Sequence, residues 1–217
     1  MTIKAIAFDA YGTLFDVYSV GALAEQLFPG NGKVLAEIWR VAQIDYTRIL
    51  TLCGRYRDFR ALTEDGLVYA CKVLELDLTT DKRRQLMDQY DRLEAFAENL
   101  EVLRTLKSRG LKLAILSNGT PAMLENAMQA AGYQDLFDHV LSVDAVKKFK
   151  TAPEAYQLGP DAFGLPVSEI GFVSSNGWDV CGATWFGYQT FWVNRAGKVL
   201  DELGVQPKGE GRSLNDL

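Results

Sequence analysis

Asp9 ends an apolar run, Ile3 to Phe8, interrupted only by Lys4, and a glycine follows three residues later. A carboxylate placed there stands at the carboxyl end of a buried strand, where ligands bind in open parallel sheets. Other apolar runs end in polar residues too. Lys112–Leu116 leads into Ser117 and Asn118, and Glu169–Val173 into Ser174, Ser175 and Asn176, with Asp179 close behind. A short run, His139–Val143, precedes a loop carrying Lys147, Lys148 and Lys150. If these runs are parallel strands of one sheet, Asp9, Ser117, Asn118, Lys150, Ser174, Asn176 and Asp179 ring one pocket on its carboxyl edge. One carboxylate among hydroxyls, amides and an ammonium suits a nucleophile that must stay ionised.

Such a ring needs helices to return the chain between strands, and their signals are present. A helix over about Leu100–Arg109 stops at Gly110, one over Pro121–Ala131 stops at Gly132, and one over Val180–Phe186 stops at Gly187. Glycine after the last turn and proline at the start of a helix, as at Pro153, are ordinary terminal signals. Thr190–Val193 is a further strand, and the glycine-rich tail from Pro207 is expected to wrap the surface. From residue 15 to about 97 the periodicity is helical throughout. Pro29-Gly30-Asn31-Gly32 closes a first helix, and Leu35, Ile38, Ala42, Tyr46 and Ile49 mark one face of the next, over about Val34–Leu50. A third helix spans roughly 58–74, and Thr80 is the expected N-cap of a fourth. The pattern predicts a doubly wound α/β parallel sheet, a Rossmann-like core of residues 1–14 and 98–217, with an inserted helical cap subdomain at 15–97.

Composition bounds the partners. Of 217 residues, 48% are hydrophobic, enough for a substantial core, and the formal net charge is -5. No run of Lys and Arg forms a nucleic-acid stripe. No segment approaches the roughly 18 apolar residues of a membrane span, and no signal-peptide run is apparent. Cys53, Cys71 and Cys181 are odd in number and form no CxxC pair, so free thiols in a reducing cytoplasm are expected.

Taken together, Asp9-Ala-Tyr-Gly-Thr-Leu-Phe-Asp16, Leu116-Ser-Asn-Gly119, a lysine after the third strand, and Phe172-Val-Ser-Ser-Asn-Gly-Trp-Asp179 resemble the four motifs of the haloacid dehalogenase superfamily. Within it the chain is similar to the L-2-haloacid dehalogenases. That similarity extends into the helical insert, at Trp39-Arg40 and Arg55-Tyr56-x-x-Phe59. Phosphatases of the superfamily carry a second acid two residues after the first, where this chain has Tyr11, and an acidic pair in the fourth motif to hold magnesium. Neither is present here. With Lys150 alongside Asp9 and Asp179, no metal site and no cofactor are expected. Thr151 stands where many relatives have proline, and Tyr156 follows Lys150 at the family's spacing.

The resemblance implies hydrolysis of short L-2-haloacids to D-2-hydroxyacids with inversion. Asp9 attacks the α-carbon, halide leaves, and water then cleaves the aspartyl ester. The catalytic set so implied is Asp9, Thr13, Arg40, Lys150, Ser174, Asn176 and Asp179, with Asp179 as the base for the water. Ser117 and Lys150 would hold the substrate carboxylate. Arg40 and Asn118 would meet the halide, in a cradle of Tyr11, Ile44, Phe59 and Trp178, with Tyr156 in support. Apolar helices in the insert suit a homodimer. The competing readings are a phosphatase of the same superfamily, a phospho-acceptor signalling module, and a non-catalytic binding relative.

Overall fold

The computed structural model describes residues 2–217. Six strands, all parallel, form one sheet in the order β3-β2-β1-β4-β5-β6. They are β1 (Ala5–Phe8), β2 (Lys112–Ser117), β3 (His139–Ser142), β4 (Ile170–Ser174), β5 (Gln189–Val193) and β6 (Gly209–Gly211). β1 is buried along its whole length, as an unbroken apolar run at the centre of a parallel sheet should be. Its side chains alternate between two cores. Ala5 and Ala7 face Tyr156, Phe172 and Tyr188, whereas Ile6 and Phe8 belong to a larger cluster that continues into the helices. Phe8 pairs in register with Ile115 of β2 on one side and Val173 of β4 on the other. From β1 the strand order grows first through β2 and β3, then reverses through β4. Asp9 therefore leaves the sheet at its switch point, the place where an open α/β sheet leaves a crevice.

Between β1 and β2 run five helices: α1 (Val20–Leu27), α2 (Gly32–Leu52), α3 (Phe59–Val73), α4 (Thr80–Tyr90) and α5 (Asn99–Ser108). Leu35, Trp39, Leu62, Leu67, Leu86 and Tyr90 bury their common faces. The N-cap of α4 is Thr79, whose hydroxyl accepts from Lys82 N at 3.2 Å, and not Thr80 as expected. Either threonine suits a cap, and only the backbone angles at Thr79 turn its side chain onto the helix end. After β2 the chain alternates through α6 (Pro121–Ala131), α7 (Pro153–Phe163) and α8 (Gly177–Phe186). No helix among the described residues is long and apolar enough to cross a membrane.

Two expectations are corrected. α8 begins at Gly177, not Val180, so Trp178 and Asp179 sit in its first turn behind Asn176. Asn before a helix and an acid in its first turn both favour that start. The tail does not merely wrap the surface: residues 209–211 add β6 alongside β5. Its glycines make this possible. A Cβ on Gly209 would meet Phe191 at 2.7 Å, and one on Gly211 would meet Asp216 at 2.4 Å.

Candidate active site

Asp9 follows β1 and donates its backbone N–H to Val173 O at 2.9 Å, which holds it one step beyond the paired strands. Its carboxylate oxygens differ. Oδ2 accepts from Asn176 Nδ2 at 2.8 Å and from Thr13 Oγ1 at 3.0 Å, with Ser174 Oγ at 3.5 Å. Among the described residues Oδ1 accepts only from Lys150 Nζ, at 3.0 Å. The Thr13 hydroxyl accepts from Ser175 N at 2.8 Å, so its proton is directed to Asp9. Ser174 has one proton to give and sits nearer Asp179 Oδ2, at 3.0 Å.

Lys150 lies between the two carboxylates, 3.0 Å from Asp9 and 2.9 Å from Asp179, with no exposed side-chain surface. Burial works against its charge, but Asp179 and Asp9 outweigh it and hold its pKa above that of an ordinary lysine. The loop that delivers it is fixed by Asn118, whose Oδ1 accepts from Lys150 N at 2.9 Å. The Lys150–Thr151 peptide is cis. Asp179 is wholly buried, and burial pushes its carboxyl up to about 6, with Lys150 pulling it down and Asp9 pushing it up. Its Oδ1 accepts from Tyr156 OH at 2.8 Å. Tyr156 is held in turn by its carbonyl, which accepts from Tyr188 OH at 2.6 Å.

Three side chains come from the helical layer. Arg40 of α2 donates through Nη2 to Tyr11 O at 2.9 Å and to Asn176 Oδ1 at 3.3 Å. Phe59 lies with its ring 5.5 Å from that of Tyr11, and Ile44 is buried on α2. Tyr11 stacks on Tyr90 at 5.8 Å, and its hydroxyl has no hydrogen-bond partner among the described residues. Its ring passes so close to Gly119 that a Cβ there would meet it at 2.6 Å. The glycine after Ser117 and Asn118 is thus a packing requirement of Tyr11. Trp178 lies under Arg48, whose guanidinium is 5.4 Å from the ring. A cavity of about 320 Å³ is lined by Arg40, Ile44, Arg48, Asn176, Trp178 and Trp192 among others. A second, of about 190 Å³, shares Arg40 and Asn176 and continues past Gly12, Val17, Phe96 and Arg195.

The structure brings Asp9, Thr13, Arg40, Lys150, Tyr156, Ser174, Asn176 and Asp179 into one hydrogen-bonded cluster. Asn118 joins it through the Lys150 backbone, which leaves its Nδ2 donors uncommitted. Ser117 is buried, and its hydroxyl accepts from Gly119 N at 3.0 Å without touching the other members. Lys150 is expected to hold substrate as well, and two of its three ammonium donors go to Asp9 and Asp179. Other donors lie nearby. The backbone N–H groups of Ala10, Tyr11 and Asn118, at the ends of β1 and β2, make no hydrogen bond to any described residue. Residue type gives no sign of them, and only the turn after each strand exposes them. Gln43 and Tyr90 were also missed, because each looks like one more position on an amphipathic helix.

Residues 3–187 match the family described as haloacid dehalogenase-like hydrolases. An (S)-2-haloacid dehalogenase from Pseudomonas sp. (strain YL) is 49% identical over 212 residues, 98% of this chain and 91% of its own. The crystal structure of an L-2-haloacid dehalogenase superposes with a TM-score of 0.98 at 56% identity, covering 100% of this chain and 97% of the other. The L-2-haloacid dehalogenase from Xanthobacter autotrophicus, solved with chloropropionic acid covalently bound, superposes with a TM-score of 0.93 at 35% identity, covering 99% and 96%.

Proposed function

Because the chain belongs to the haloacid dehalogenase-like hydrolases, we propose that it hydrolyses short L-2-haloacids to D-2-hydroxyacids through an ester on Asp9. The observation that carries this reading is the inequality of the two Asp9 oxygens. Oδ1 meets only Lys150, so it keeps a lone pair for attack at the α-carbon, while Oδ2 is tied to Thr13 and Asn176. As the Oδ1–carbon bond forms, the carbon–halogen bond breaks and its electron pair leaves with the halide. The substrate carboxylate lies against the Ser117 hydroxyl and the free amides of Ala10, Tyr11 and Asn118. Arg40 and the Asn118 side chain meet the halide, and Tyr11, Ile44, Phe59 and Trp178 keep water from it. The relative carrying covalently bound chloropropionic acid supports a covalent step.

Water then attacks the Asp9 carboxyl carbon. Negative charge develops on Oδ2, where Thr13 and Asn176 already donate, so the donors need no rearrangement when the charge appears. Asp179 takes the proton of the water, with Lys150, Ser174 and Tyr156 fixing its carboxylate. The carbon–Oδ1 bond within the carboxyl group breaks, and the original Asp9 oxygen departs in the hydroxyacid, taking the proton that Asp179 accepted.

A phosphatase reading is weaker. It needs a second acid where Tyr11 stands, and a metal between carboxylates where the Lys150 ammonium lies. In this reading residues 15–97 form a cap over a core of 1–14 and 98–217, and Arg40 and Phe59 are its contribution to the pocket. Val41, Ile49, Leu52, Tyr69 and Val73, exposed on α2 and α3, support a homodimer. The three unpaired cysteines support a cytoplasmic location. The test is halide release from chloro-, bromo- and fluoroacetate and from both enantiomers of 2-chloropropionate. Release from the L enantiomer alone, with D-lactate as product, is expected. Phosphate release from phosphate esters without any halide release would overturn it.

A further inference from the structure

Gln43 is fully buried on α2, one turn beyond Arg40. Its Oε1 accepts from Arg40 Nη1 at 2.8 Å and from Tyr90 OH at 3.1 Å. Its Nε2 donates to Thr63 Oγ1 at 2.6 Å, and the Thr63 hydroxyl donates to Phe59 O at 2.7 Å. These bonds have one consistent direction. Thr63 gives its only proton to the Phe59 carbonyl, so it can only accept from Gln43. The amide nitrogen must then face α3, and the amide oxygen must face Arg40. Tyr90 stacks on Tyr11 and packs at a tilt against Trp39, and Trp39 Nε1 donates to Thr63 O at 2.6 Å, so the relay spans α2, α3 and α4.

We propose that Gln43 is a positioning residue for halide displacement. Its amide oxygen, oriented by Thr63, holds the Arg40 guanidinium so that Nη2 faces Tyr11 O and Asn176, and it does so without neutralising the charge. The proposal rests on the reading of Arg40 as the group that meets the departing halide. A neutral acceptor is what that task requires. A glutamate in the same space would fix the guanidinium equally well, but its charge would offset the one needed at the leaving group. An apolar residue would leave Arg40 Nη1, Tyr90 OH and Thr63 without partners.

The test separates this role from general support of the helices. Single-turnover ester formation is measured with L-2-chloropropionate and L-2-bromopropionate in the wild type, Gln43→Glu, Gln43→Met and Arg40→Lys. Chloride is the poorer leaving group and depends more on the charge that receives it. Both Gln43 variants are expected to slow the chloride reaction by roughly tenfold more than the bromide reaction, with ester hydrolysis unchanged, and Arg40→Lys should shift the ratio in the same direction. Equal slowing of both substrates in the Gln43 variants, beside a shifted ratio in Arg40→Lys, would overturn the proposal and leave the role of Arg40 standing. An unshifted ratio in Arg40→Lys would overturn both. If the Gln43 variants do not fold, Thr63→Val, which keeps its shape and frees the amide to turn, is expected to move the ratio the same way. An unmoved ratio there counts against the proposal.

Discussion

Asp9 presents one oxygen held by Thr13 and Asn176 and one paired with Lys150, and this asymmetry makes its chemistry testable at single residues. Asp9→Asn should abolish halide release. Single-turnover hydrolysis in ¹⁸O-water should put the label into Asp9, read by mass spectrometry of the peptide, and none into the hydroxyacid. Asp179→Asn should stall at the ester, visible as a stable mass increase on Asp9. Turnover must also fall on the acid side as Asp179, raised to about 6 by burial, takes up a proton. The Asp9 charge contributes to that elevation. Esterification removes it, so the acid limb for hydrolysis of the preformed ester should lie on the acid side of about 6. Pre-steady-state mixing of the preformed ester across pH 4 to 8 would read that limb, and a hydrolysis rate that does not fall towards acid would exclude Asp179 as the base. Asp9, Lys150, Ser174, Asn176 and Asp179 could be grouped from the sequence because each stands beyond the end of an apolar run, whereas Thr13 and Arg40 entered through the resemblance alone. What was not legible is the direction of each hydrogen bond, which depends on neighbours such as Ser175 N and Tyr188 OH.

At the scale of elements, strands and glycine-stopped helices were recoverable because terminal signals are local. α6 has its expected bounds, with Gly132 in the left-handed conformation just after it. The start of α8 was misplaced since Asn-Gly looks like a turn, and only the parallel sheet makes that turn the entrance to a helix. The glycine after Asn118 shows how one element constrains another. Gly119→Ala should push the Tyr11 ring away, costing about 1–3 kcal/mol in chemical denaturation, as overpacking does. If Tyr11 belongs to the proposed halide cradle, KM should rise as well. An unchanged melting curve and KM would mean that the close approach relaxes freely. β6 escaped detection for a related reason: its residues are glycines and a glutamate, types that disfavour strands in isolation. Glycine is what fits here, since a Cβ at 209 would meet Phe191 and one at 211 would meet Asp216.

At the scale of the whole molecule, the fold class follows from the alternation of strands and helices, while the closing of the sheet edge does not. Leu214 is fully buried beyond β6. Leu214→Ala should cost roughly 2–5 kcal/mol in urea unfolding, whereas a tail that merely lay on the surface would cost almost nothing. The buried Lys150 pair gives a pH signature. Its pKa is raised in the folded state, so its contribution is fully present below the ordinary lysine value of 10.5 and is lost as pH rises through the folded pKa. Buried Tyr11 and Tyr156, also raised, act with the same sign. Urea midpoints should therefore fall steeply between pH 10 and 12. The bonds around Asp9 have one more consequence, which concerns time. Lys150 and Asn176 reach it across 141 and 167 positions of chain. Contacts of such span form late in folding. On the ribosome the first strand emerges together with Thr13, but Lys150 and Asn176, which complete the grip on Asp9, are made only in the last third of the chain. Asp9 therefore lacks its buried ammonium and its amide donor until most of the chain has been synthesised, and the difference between its two oxygens is acquired only when the sheet is complete.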